Sequence, residues 1–153
     1  MDDEPLTYDA DVGPDPEAWL SSDEGERIEA VQAYHRRLRE PHPETSSPQL
    51  HAGIHAAVEY QIALGDETPV KATLERLLRE GLERHDAIHA IGSVLAEHLW
   101  TVMRGEVETP PGTDPNRPYY EALARLHAEA WLTRDAGGGA AGHERRRKRR
   151  DQR

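Results

Sequence analysis

Apolar residues recur at helical spacing along most of this chain, and capping and turn residues separate the windows. Ile28, Val31, Tyr34 and Leu38 stand three or four apart and predict an amphipathic helix, opened by the capping pair Ser21 and Glu24 and closed before Pro41 and Pro43. Ahead of it, DPEAWL reads as a short docking helix, with Asp15 as cap, Pro16 at the first position, and Trp19 and Leu20 as its apolar turn. Ser47 and Pro48 open a second long helix that carries Ile54, Val58 and Ile62 and stops at Gly65. Thr68 and Pro69 open a third, with Val70, Leu74, Leu77 and Leu78 facing inward and Gly81 as its stop. A fourth runs to about Arg104 with Ile88, Leu95, Leu99 and Met103 along one side. Beyond the Pro-rich stretch GEVETPPGTDPNRP, a last helix is predicted from about Tyr119, with Leu123, Leu126, Ala130 and Trp131 available to pack.

The connections at Gly65 and Gly81 are short, so the helices on either side of them run up, down and up as neighbours. That topology makes the second and fourth helices parallel, and it gives meaning to two histidine pairs. His51 and His55 open HAGIHAAVEYQIALG, and His85 and His89 open HDAIHAIGSVLAEHLW. Each pair is spaced i, i+4, which puts two imidazoles on one helical face about a turn apart. Both pairs interrupt apolar faces near a helix start, so parallel packing brings four imidazoles to the same end of the bundle. The expected architecture is all-α: a compact bundle of about five helices over residues 15–135, between a disordered acidic arm (1–14) and a flexible Gly/Ala-rich and Arg-rich tail (136–153).

Composition narrows the chemistry. With 153 residues the chain has length for one modest core, and a mean hydropathy of −0.85 confines that core to the patterned segments. Cysteine is absent, which removes disulfides, thiolate ligands and cysteine nucleophiles and leaves His, Asp and Glu to hold any metal. Neither a signal peptide nor a segment of membrane-spanning length is legible, so a cytoplasmic protein without a membrane partner is expected. The net charge of −10 combines a tail of +5 over residues 143–153 with −15 before it. Nucleic acid is therefore expected only at the run RRRKRR, from Arg145 at its start to Arg150 at its end. Association into an oligomer is left open.

Four neutral imidazoles can give a divalent transition metal a nitrogen-only shell. Zinc is the first expectation and iron the second, with His51, His55, His85 and His89 as metal ligands. Glu59 continues the spacing of His51 and His55 and is the candidate catalytic base, should the site be hydrolytic. Asp86 is a lesser candidate as ligand or as partner of a ligand's second ring nitrogen. Neither pair carries the Glu that HExxH metalloprotease chemistry requires, and inward carboxylates are too few for a di-iron bundle. The lone histidines His35, His42, His98 and His127 are expected at the surface or the edge of the core.

The segments LHAGIHAAVEYQIA and TLERLLREGLERHDAIHAIGSVLAEHLW resemble a bacterial family known only as a domain of unknown function, number 1841. The resemblance covers about residues 49–103. It implies an all-helical fold and one constellation of His51, His55, His85 and His89, and it implies no activity. Two readings follow: a small protein that binds one divalent metal through paired HxxxH helices, or a metal-free interaction module with a structural histidine cluster and a basic tail for an anionic partner.

Overall fold

In a computed structural model, residues 4–38, 47–106 and 110–138 are described, and among them every regular element is helical. The Asp15 carboxylate accepts the Ala18 N–H at 3.0 Å and starts α1 (Pro16–Ser21), whose Trp19 is fully buried with its indole N–H toward the Ala56 carbonyl. The next helix, α2 (Glu24–Arg37), is capped by Asp23, which accepts the Glu26 N–H at 2.7 Å, and not by Ser21, which ends α1 with its hydroxyl donating to the Ala18 carbonyl at 3.2 Å. Ser47 caps α3 (Pro48–Ala63) as expected. A 3-10 turn at Gly65–Glu67 leads into α4 (Val70–Arg79), and Gly81, at φ +108°, turns the chain into α5 (Arg84–Met103). Two shorter helices follow, α6 (Arg117–Arg125) and α7 (Ala128–Gly138).

Two buried clusters meet on α3. One is almost wholly aliphatic: Val58, Val70, Leu74, Leu77, Ile88, Ile91, Leu95 and Leu123 join α3, α4, α5 and α6, with Tyr119 among them. The other joins residues 8 and 10 to α1, α2 and α3 through Tyr8, Trp19, Val31, Tyr34 and small alanines. Gly92 lets α3 and α5 approach closely, since a Cβ there would meet Ile54 Cγ2 at 3.0 Å.

Four expectations change. Residues 4–13, expected as part of a disordered arm, are packed: Tyr8 and Ala10 are 3% and 0% exposed, with alternate residues turned outward as an extended chain requires. The helix expected after Tyr119 is broken at Leu126, because the Glu80 carboxylate captures the Ala128 N–H at 2.9 Å and starts a new helix there. Leu78, Leu99 and Met103 are exposed rather than inward, and the last turn of α5 is apolar and open to solvent. His98 is buried and stacked on Tyr119, with ring centres 5.8 Å apart. Residues 1–3, 39–46, 107–109 and 139–153 lie outside the described residues, and with them His42 and the basic run. Among the described residues no helix is long and apolar enough to cross a membrane.

Candidate metal centre

The first two turns or so of α3 and of α5 bring both histidine pairs together. His55 and His89 have ring centres 5.0 Å apart, His55 and His85 5.3 Å, and His51 and His89 5.1 Å. The parallel arrangement of these helices predicts such a level meeting, and the ring distances agree with it. A fifth imidazole joins from the last turn of α2: His35 lies 5.1 Å from His55 and 4.8 Å from His51. One nitrogen from each of His35, His55, His85 and His89 falls within 4.8 Å of the other three. His51 stands beside that set, its Nε2 3.2 Å from His35 Nε2.

Sequence reasoning placed His35 at an edge, and no local signal marks it as different from any other lone histidine. Its ring is oriented by a bond from Nδ1 to the Val31 carbonyl at 2.8 Å. A carbonyl only accepts, so Nδ1 carries the proton and the neutral ring presents its lone pair at Nε2. Burial lowers the His35 pKa, with the Val31 bond working against that shift.

His55 is the most enclosed member, 2% exposed. Its pKa is pushed well below the ordinary value, first by burial and then by the neighbouring His89, His85, His35 and His51, so the ring is neutral at pH 7. His55 Nε2 is buried with no hydrogen-bond partner among the described residues. Its other nitrogen, Nδ1, lies 3.0 Å from the Tyr8 hydroxyl.

Tyr8 leads away from the imidazoles to a buried ion pair. Its hydroxyl donates to Glu59 Oε2 at 2.5 Å, and Arg84 grips the same carboxylate with two bonds of 2.7 and 2.8 Å. Glu59 is fully buried, whereas the Arg84 side chain is partly buried, 14% exposed. Burial works against the Arg84 charge, but the bonds to Glu59 outweigh it and raise its pKa. Burial, then the negative charge of Glu59, raises the Tyr8 pKa well above its ordinary value and keeps the phenol protonated. The carboxylate singled out as a candidate base thus faces a guanidinium and a phenol, and it reaches His55 through Tyr8. Tyr34 packs edge-on against Tyr8, His35 and His85, closing one side of the group with an aromatic wall.

Imidazole nitrogens bound tetrahedrally at about 2.0–2.1 Å from one ion lie about 3.3 Å from each other. The four nitrogens here lie within 4.8 Å of one another, so the rings would have to draw together to hold one ion. Asp86, the lesser candidate, sits in the first turn of α5.

A model of a domain of unknown function (DUF1841) matches residues 24–114, a span that contains the five clustered histidines, Glu59 and Arg84 and excludes Tyr8. No curated protein matches the chain, and no solved structure does.

Proposed function

The chain belongs to the DUF1841 family, whose description assigns no activity, and on that premise we propose that it holds one divalent transition metal, zinc first and iron second. The ligands in this reading are His35, His55, His85 and His89, with His51 beside them as the partner that His35 gives up, or exchanges for, when an ion arrives. The observation that carries it is the convergence of these four side chains from three helices around a buried, neutral His55 whose Nε2 no described residue hydrogen-bonds. An apolar side chain would satisfy the same space at lower cost, because a buried imidazole lone pair without a partner is penalised by about 1–3 kcal/mol. Imidazole is a good ligand for zinc, copper, nickel and iron and a poor one for magnesium and calcium.

Glu59 is not assigned a proton-transfer step in this proposal, since a base must reach the reacting atom and this carboxylate is occupied by Arg84 and Tyr8. The reading is therefore of a metal-binding protein, without a stated reaction. One contact favours the metal-free alternative: the His51–His35 bond satisfies two imidazoles by themselves. Metal analysis of the full chain, prepared without an affinity tag, separates the two. Near-stoichiometric zinc or iron is expected, falling sharply in a His55→Ala/His89→Ala variant. Folded, metal-free protein that takes up no added zinc would overturn the proposal in favour of a structural cluster.

A further inference from the structure

Three residues that are not ligands hold His55 in one chemical form. Glu59 meets the Arg84 guanidinium through two bonds, and a carboxylate so paired has only lone pairs to offer. Tyr8 has a single hydroxyl proton, which its 2.5 Å bond to Glu59 uses. The Tyr8 oxygen is left to accept, so the 3.0 Å contact with His55 is an N–H donated by Nδ1. A neutral imidazole with its proton on Nδ1 has its lone pair on Nε2. That is the atom buried in the histidine group.

Tyr8 is delivered by a segment that Arg84 also ties down. Arg84 Nη1 donates to the Ala10 carbonyl at 2.9 Å, and Arg37 Nη2 donates to the Tyr8 carbonyl at 3.3 Å. The segment then turns at Gly13, at φ +86°, where the chain lies so close to the Arg84 guanidinium that any side chain would displace it. Arg84 therefore fixes both the carboxylate that Tyr8 serves and the backbone that carries Tyr8.

We infer that residues 6–13 form a strap over the metal centre and that Tyr8 is its positioning residue, holding His55 as the Nδ1–H tautomer so that Nε2 is presented to a divalent transition ion. This rests on the metal-binding reading above and deepens it. An outer-sphere partner of a histidine ligand fixes the tautomer and the ring orientation, and losing one typically lowers metal affinity 10–100-fold. The strap lies before residues 24–114, the span matched by the family model.

Two measurements on the full chain test it. Long-range 1H–15N spectra of metal-free protein read the His55 tautomer directly: a proton on Nδ1 is expected, and a proton on Nε2 overturns the inference even if no variant can be made. Zinc titration against a chromophoric chelator then compares the wild type with Tyr8→Phe, which keeps the ring and removes the oxygen. An affinity about 10–100-fold lower with an unchanged far-UV spectrum supports the strap. Equal affinity overturns it while leaving the metal reading intact, whereas a wild type that binds no zinc removes the metal reading itself.

Discussion

The two faces of α3 are built to different rules. Toward α4, α5 and α6 it packs Val58 among leucines, isoleucines and valines, a cluster with almost nothing to hydrogen-bond. Toward α1, α2 and the strap it packs alanines against Tyr8, Trp19 and Tyr34, and beside these stand five imidazoles and a buried Glu59–Arg84 pair. Burying a leucine contributes about 1.5–3 kcal/mol, whereas burying charges contributes little net and often costs. A chain selected for stability alone would extend the aliphatic packing around both faces. Aliphatic burial is concentrated on one face of α3 and the titratable groups on the other, so substitutions on the two faces should be separable by their effect on metal affinity and pH dependence.

The largest effect is expected on the polar face. Arg84→Met leaves the Glu59 carboxylate fully buried without its guanidinium, and breaking such a pair from one side costs about 3–5 kcal/mol. Urea unfolding should show that loss, and Glu59→Gln added to it should recover a large part. A loss below about 1 kcal/mol would mean that the pair is effectively solvated and that this face is less dry than its burial indicates. On the aliphatic face Leu77→Ala is expected to cost about 2–5 kcal/mol, since Leu77 is fully buried and its neighbours can relax only partly into the space. Its zinc affinity should equal that of the wild type. Folded Leu77→Ala protein that has lost zinc would show the faces to be coupled, and the contrast between them would fail.

The same contrast decides what was legible beforehand. The aliphatic face is a local property: Val70, Leu74 and Leu77 repeat at helical spacing, and Gly65 and Gly81 mark the turns, so neighbouring helices and the level histidine pairs could be read directly. The polar face depends on distant partners. His35 looks like any single histidine until α2 packs on α3. Residues 4–13 are acidic and poor in apolar groups, which argues for disorder, and what orders them is Arg84, 74 positions from Ala10. A faint signal was present, for Leu6, Tyr8 and Ala10 alternate as an extended chain with one buried side does. The break at Leu126 is likewise imposed from afar, by Glu80, 48 positions from Ala128. Periodicity also tells which side of α5 is apolar and not how far its neighbours extend, so Leu99 and Met103 fit the apolar stripe yet stand exposed beyond the packed part of the helix.

The smallest effect is a pH dependence confined to the polar face of the metal-free protein. His55 is held neutral, chiefly by burial and then by the surrounding imidazoles, so its folded pKa lies well below its unfolded value of about 6.5. Above that pH neither state binds the proton and the full stability is present. As pH falls below it, the unfolded chain takes the proton and the folded protein does not, so stability is lost at up to about 1.4 kcal/mol per pH unit for each such group. His35, shifted the same way by burial, adds to the slope. Urea midpoints measured at about pH 7.5 and about pH 5.5 should fall for the wild type, fall equally for Leu77→Ala, and fall less for His55→Gln. Added zinc should steepen the wild-type slope, because protons and metal compete for the same nitrogens. Equal slopes in the wild type and His55→Gln would mean that His55 takes up its proton as readily folded as unfolded, and the dry, neutral centre that distinguishes this face of α3 would have to be abandoned.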